Sequence, residues 1–176
     1  MQAILLTGAS GVIGQALLKC FTDSTLFCLV RRRRVDFPNA ILIHGDVSRP
    51  RLGLSREDYA EIARHIDAVV HSAAVTDFNQ SQEVMTRTNI DGTHNVLQLA
   101  ATAGVPLYYV GTAYSSVGQA GFAANAYELS KRAAEAAVRA SGVPSVIVRP
   151  SCRPAHTVSS STLGVSPSRT SATIPE

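Results

Sequence analysis

Cysteine, lysine and long apolar runs are the scarce features of this chain. Cys20, Cys28 and Cys152 stand far apart in 176 residues. Neither a disulfide framework nor a metal site follows from that spacing, and Cys20 and Cys28 read as small core hydrophobes. No apolar run approaches the roughly 20 residues needed to span a bilayer. The N-terminus enters a strand with no basic region, apolar core or cleavage site before it, so the expected setting is the cytoplasm. Composition is 45% hydrophobic and 16% charged, which excludes a disordered chain, and the length fits a single domain. The net charge of +3 is uneven: fourteen of the sixteen cations are Arg, and four of them stand together at positions 31–34. Such a run can bind nucleic acid. Here it directly follows the second predicted strand, which suggests a different use, and no nucleic-acid partner is expected.

What the chain does have is a glycine triplet in the right place. Leu5-Leu6-Thr7-Gly8-Ala9-Ser10-Gly11-Val12-Ile13-Gly14 follows an apolar run and opens a helical pattern with Val12, Ile13, Ala16, Leu17, Cys20 and Phe21 on one side. Strand, glycine turn and helix together present backbone N–H groups and a positive helix end to a diphosphate. Gly8 can take the tight turn, Gly11 has no Cβ to block a pyrophosphate, and Gly14 lets the helix lie close to the strand. Ser10, Val12 and Ile13 belong to the same cradle. The spacing is G-x-x-G-x-x-G rather than the commoner G-x-G-x-x-G.

Short apolar runs recur at 4–6, 26–30, 41–43, 68–70, 107–110 and 145–148, most without polar alternation, as buried parallel strands read. Helical patterns lie between most of them: 12–21; one beginning at Ser55, with Asp58 three residues on as its capping partner; a long one over 82–103, stopped by Gly104 and Pro106; and 127–140. The segment between the second and third strands, through Phe37-Pro38-Asn39, is too short for a full helix. The expected fold is α/β: a Rossmann-like, doubly wound parallel sheet in the order 3-2-1-4-5-6 with helices on both faces.

Two further constellations carry chemistry. Tyr127 and Lys131 stand four apart on a predicted helix and so share a face. A nearby ammonium favours the phenolate, and a phenol tuned this way can give a proton to a carbonyl oxygen that is gaining charge. The lysine can also bind a ribose hydroxyl. The second constellation concerns the cofactor. An acid at the end of the second strand reads the ribose hydroxyls of NAD, whereas arginine reads the 2′-phosphate of NADP. Here that strand ends Leu29-Val30-Arg31-Arg32, with no acid before Asp36. Arginine binds phosphate in a bidentate fashion, so NADP(H) is preferred over NAD(H), with Arg31 and Arg32 leading. Arg33 and Arg34 can be simply solvated.

With Thr7-Gly8-Ala9-Ser10-Gly11-Val12-Ile13-Gly14, Asn89-Ile90-Asp91-Gly92-Thr93 and Tyr127-x-x-x-Lys131, residues 1–151 resemble the extended short-chain dehydrogenase/reductase superfamily. The run His44-Gly45-Asp46-Val47-Ser48-Arg49-Pro50-Arg51-Leu52-Gly53-Leu54-Ser55, followed by Val69-Val70-His71-Ser72-Ala73-Ala74, is similar to its thioester-reductase branch, which includes the male-sterility-type NAD(P)-binding domains. The resemblance implies that Asp46 and Val47 border the adenine, that Ala73 and Ala74 lie under the nicotinamide ribose, and that Pro150 and Ser151 approach the nicotinamide amide. It makes Thr112 the catalytic hydroxyl, Tyr127 the proton donor and Lys131 its tuner, with Asn89 bracing the active-site helix. It implies reduction of an acyl thioester to an aldehyde, with an acyl carrier protein as a candidate partner. The oligomeric state stays open. His44 and His71 read as packed or backbone-bonded, His65 and His94 as surface residues. Of the other tyrosines, Tyr108 or Tyr109 reads as core and Tyr114 as facing the cleft. Ser115 and Ser116 are alternatives to Thr112.

After Pro150 the composition changes. Residues 151–176 hold eleven Ser or Thr, three Pro, and no acid before Glu176. The expectation is a cofactor-binding domain over 1–151 and a disordered or out-of-frame tail over 152–176, with the substrate domain missing and catalysis by this chain alone in doubt. Two rival readings stand beside the reductase: an NAD-dependent sugar-nucleotide epimerase or dehydratase, and a non-catalytic dinucleotide-binding module.

Overall fold

The computed structural model describes residues 2–31, 37–38, 40–77, 79–113 and 125–150. Strands β1 (Ala3–Thr7), β2 (Thr25–Val30), β3 (Ala40–His44), β4 (Ala68–His71), β5 (Leu107–Val110) and β6 (Ser145–Val148) pair in parallel as one sheet, in the expected order β3-β2-β1-β4-β5-β6. Helices α1 (Val12–Cys20), α2 (Arg56–His65), α3 (Gln82–Met85), α4 (Gly92–Ala103) and α5 (Ala126–Ala140) connect them, with a 3₁₀ turn at Pro50–Gly53. Local chemistry sets the helix ends. The Ser55 side chain accepts from the Asp58 N–H at 3.0 Å and opens α2, and the Asn125 side chain accepts from the Glu128 N–H at 2.8 Å and opens α5.

Alternation along the strands builds two apolar layers. Leu5, Leu29, Val69, Leu107 and Tyr109 pack against α2, α4 and α5 through Ile62, Val96, Leu97, Ala100, Ala134 and Val138. Ile4, Leu6, Leu26, Cys28 and Val70 turn to the other face, where Leu18 of α1 meets them. Among the described residues α1 is the one helix on that face. Beyond it lies an apolar groove bordered by Ile13, Leu17, Phe21, Tyr108, Val148 and Pro150.

Several expectations are corrected. The buried residues of α1 are Gly14 and Leu18, while Val12 is 91% exposed and Cys20 is exposed. Gly14 packs on the loop backbone and brings the 14–18 line to the sheet, while Leu17 and Phe21 of the expected stripe are partly buried against the same layer. Tyr108 is 40% exposed because it points to the open groove, whereas Tyr109 is the buried one of the pair. His44 is exposed at the end of β3, an edge strand, rather than packed. The helix over 82–103 is helical throughout but not uniform, since Thr86–Asp91 winds as a π-helix between α3 and α4. Such wide turns often sit at functional positions. Arg32, Arg33, Arg34, Asp36, Tyr114, Ser115, Ser116, Ser151 and the tail 152–176 lie outside the described residues.

A candidate nucleotide cleft and active site

Strands β1, β4 and β5 end on one rim of the sheet, and the residues read from the sequence gather there. Gly8 has φ +75°, and a Cβ on it would lie 2.5 Å from the Ala73 nitrogen. The position therefore needs glycine both for its left-handed backbone and for the approach of the segment leaving β4. A Cβ on Gly14 would meet the Gly8 carbonyl oxygen and lie 2.6 Å from the Ala9 Cα. The Gly11 N–H closes the turn onto the Gly8 carbonyl at 2.9 Å. Helix α1 then begins with no side-chain cap and no acid in its first turn. Its first N–H groups and positive dipole end are directed at this loop, which suits an anion.

One cleft runs from this turn along the sheet rim. Gly8, Ser10, Gly11, Arg31, Asp46, Val47, Ala73 and Ala74 all line it, together with Leu29, Gly45, Ser72, Val75 and Thr88. Eight of the expected cofactor residues are thus brought together, while Gly14 and Lys131 are not among the lining residues. Val12 points to solvent, and Ile13 and Pro150 border the apolar groove instead. At one end Arg31 lies 3.7 Å from Asp46, and a shallow recess beside them adds Arg49, which the sequence reading left out. Asp46 accepts from the Ser48 N–H at 2.9 Å and the Ser48 hydroxyl at 2.7 Å. Partial burial works against its charge, but the Ser48 hydrogen bonds and the Arg31 and Arg49 cations hold its carboxyl below the usual range. The Asn95 amide donates to the Val47 carbonyl at 2.8 Å and fixes that wall of the cleft from α4.

A buried polar line ties the cleft floor to the π-helix. The Thr93 hydroxyl donates to the Asn89 carbonyl at 2.7 Å, so it accepts from His71 Nε2 at 3.2 Å. His71 Nδ1 then accepts from the Thr7 hydroxyl at 2.7 Å, and the Thr7 oxygen accepts from the Ala73 N–H at 3.3 Å. Each hydroxyl has one proton to give, which assigns His71 as the neutral Nε2–H tautomer. Burial, and secondarily the Lys131 charge, pull its pKa down to about 3. Asn89 braces the neighbouring segment: its Oδ1 accepts from the Val75 N–H at 2.8 Å, and its Nδ2 donates to the Val75 carbonyl at 3.1 Å and the Ser130 hydroxyl at 2.9 Å. The Ser130 hydroxyl donates in turn to the Tyr127 carbonyl at 2.7 Å, so Asn89 is linked to the first turn of α5.

Thr112 is buried just past β5, Tyr127 is half-buried on α5, and Lys131 is buried one turn further along. The Lys131 ammonium donates to the Val110 carbonyl at 2.9 Å and lies 4.4 Å from the centre of the Tyr109 ring. Burial lowers its pKa to about 8, against the raising influence of Glu135. Glu135 is 5% exposed and receives Arg149 through two nitrogens and Arg139 at 2.9 Å. Its spacing of four from Lys131 was visible in the sequence, but its burial was not. Thr7, His71 and Thr93 stand in the motifs quoted for the resemblance, but the line they form is not legible there, because it depends on which strand ends meet which helix.

A family model described as male sterility protein, an NAD-binding domain, matches residues 32–122 of the 176. The hybrid PKS-NRPS synthetase poxE of Penicillium oxalicum is 33% identical over 175 residues, covering 84% of this chain and 4% of the synthetase. The terminal R domain from the myxalamid PKS-NRPS biosynthetic pathway superposes with a TM-score of 0.77 at 29% identity, covering 86% of this chain and 49% of that one. The Bordetella bronchiseptica enzyme WbmG, solved in complex with NAD and UDP, superposes with a TM-score of 0.71 at 26% identity, covering 83% of this chain and 52% of that one. The fold and cleft therefore define a Rossmann-like NAD-binding domain of the short-chain dehydrogenase/reductase type. The chain belongs to the male sterility protein family and spans about half the length of the solved reductase domain it matches. Among the described residues no helix is long and apolar enough to cross a membrane.

Proposed function

We propose that this chain is the cofactor-binding part, over residues 1–151, of an NADPH-dependent reductase that converts an acyl thioester to an aldehyde. The observation that carries the reading is the single cleft joining the uncapped start of α1, the Arg31–Asp46 end and the Ala73–Ala74 floor. The glycine turn packs tightly on its own backbone and on Ala73, which leaves the uncapped start of α1 beside the cleft for a diphosphate. Arg31, with Arg32 beside it in the chain, takes the 2′-phosphate, and Asp46 and Val47 border the adenine. Asp46 retains acceptor capacity for the adenine amino group because a carboxylate has about four lone-pair sites. Ala73 and Ala74 leave room for the second ribose.

A reduced dinucleotide held in this cleft would supply the hydride for the thioester carbonyl carbon. Thr112 and Tyr127 hydrogen-bond the carbonyl oxygen as it gains charge, Tyr127 gives it a proton, and departure of the thiol leaves the aldehyde. Lys131 sets the acidity of that phenol. An acyl carrier protein is the partner that brings the thioester.

Titration with NADPH and NADH tests the cofactor assignment. NADPH should bind at least about tenfold tighter, as one or two charge-assisted hydrogen bonds warrant, and Arg31→Ala should erase the difference. Equal affinities in the wild type remove the assignment. Turnover is tested with acyl-pantetheine, where Tyr127→Phe should abolish aldehyde formation while cofactor binding persists.

The likeness to WbmG with its NAD and UDP supports a second reading, an NAD-dependent epimerase or dehydratase of sugar nucleotides. It predicts a preference for NADH and binding of a uridine diphosphate sugar, with no response to acyl thioesters.

A further inference from the structure

Glu135 is a buried carboxylate at the junction of three elements. It sits on α5 one turn beyond Lys131, and its Oε2 lies 3.4 Å from where a Cβ on Gly111 would be. Gly111 follows Val110, whose carbonyl holds the Lys131 ammonium. The Gly111 N–H donates to the Val148 carbonyl of β6 at 2.8 Å, and Arg149, the next residue, turns back onto Glu135. The carboxylate thus ties the exit of β6 to α5 and stands beside the β5 end on which Lys131 rests.

We propose that Glu135 is a positioning residue for Lys131: the Glu135–Arg149 pair sets the local charge balance that fixes whether the Lys131 amine carries its proton, and anchors the β6 exit at the same time. The proposal rests on Lys131 having the role given above. The groups around the amine make Glu135 the decisive one. His71 reaches it from β4 as a neutral ring. Tyr109 faces it from β5 as a phenol whose ionisation burial pushes further up. Tyr127 shares α5 with it. Arg139 and Arg149 are cations that meet Glu135 rather than the amine. Among these described groups, Glu135 alone brings negative charge at neutral pH, and the two arginines moderate it. Without Glu135 the buried amine would lose the opposite charge that works against its burial, and its neutral form would be favoured.

The chain offers a direct readout, because Lys19 and Lys131 are its only lysines. Methylation with a ¹³C label in the full-length chain yields two lysine resonances that can be titrated, besides that of the N-terminal amine, with exposed Lys19 as an internal control. In Glu135→Gln the Lys131 midpoint should fall by about one unit, the size expected on losing a close opposite charge. In Arg149→Gln and, more weakly, in Arg139→Gln it should rise. A purely structural tether would move all three variants in the same direction or leave the midpoint alone, and either result overturns the proposal. Arg139 is 60% exposed, so its variant should fold even if Glu135→Gln does not, and an unmoved midpoint there refutes the charge balance on its own. The titration needs no cofactor. Failure of the wild type to bind NADPH or NADH would therefore defeat the functional reading while leaving the opposed shifts to be judged separately.

Discussion

The glycine turn and the buried polar group around α5 are built by opposite means. At the glycine turn the structure depends on what is missing: a Cβ at Gly8 or Gly14 would collide with main chain, and α1 starts without a cap. At the α5 end it depends on what is buried, namely His71, Asn89, Lys131 and Glu135, each held by named hydrogen bonds or ion pairs. The first kind of site responds to substitution through steric fit, which backbone cannot relax. The second responds through protonation and pairing, which are graded and pH-dependent. Binding of a diphosphate needs fixed N–H groups, while tuning a proton donor needs a controlled dielectric, so the division suits the chemistry proposed for each end.

The sharpest way to break this contrast is Gly14→Ala. The added methyl meets the backbone of Gly8 and Ala9, so the loss should reach about 3 kcal/mol or more, at the upper end for overpacking. Urea denaturation followed by circular dichroism measures it, and a loss below 1 kcal/mol would mean that the turn is pliable. The pH dependence of stability probes the other end. The His71 pKa of about 3 lies below the ordinary 6.5, so between these values the unfolded chain takes up a proton that the folded one refuses. The His71 contribution should therefore be fully present above pH 6.5 and be lost as pH drops toward 3, with a slope of up to about 1.4 kcal/mol per unit. His71→Gln should start less stable, having lost the hydroxyl partners, and show a shallower fall; parallel curves for the two proteins would count against a buried neutral imidazole. The smallest effect is expected at Val12→Ser. Although Val12 lies within the glycine motif, its side chain is 91% exposed, so stability should change by no more than about 0.5 kcal/mol and nucleotide affinity should hold. A marked loss of either would show that the side chain is used.

The legibility of the sequence followed the same division. Strand positions, sheet order and the Gly8–Gly14 turn were readable because they depend on local periodicity and on residue types with one strong physical meaning. The apolar stripe of α1 holds at Leu17 and Phe21 and fails at Val12 and Cys20, since close packing at Gly14 brings the 14–18 line to the sheet and periodicity alone does not register that contact. The π-helix at Thr86–Asp91 escaped notice because one wide turn barely alters a pattern of apolar spacing. Arg31, Asp46, Ala73 and Ala74 were found through chain position and resemblance, and they do line one cleft. The Thr7–His71–Thr93 line and the burial of Glu135 were not, because each joins residues far apart in the chain whose types are commonplace on a protein surface.

The open side of the sheet has a practical consequence. Tyr108, Val146 and Val148 are 40%, 51% and 49% exposed there, next to Ile13 at 39%. A fluorescent dye such as ANS, whose emission brightens on apolar surfaces, should therefore respond to this protein in its native condition. Brightening that would report a loosened, molten state in another protein would here accompany full near-ultraviolet dichroism and a cooperative melt.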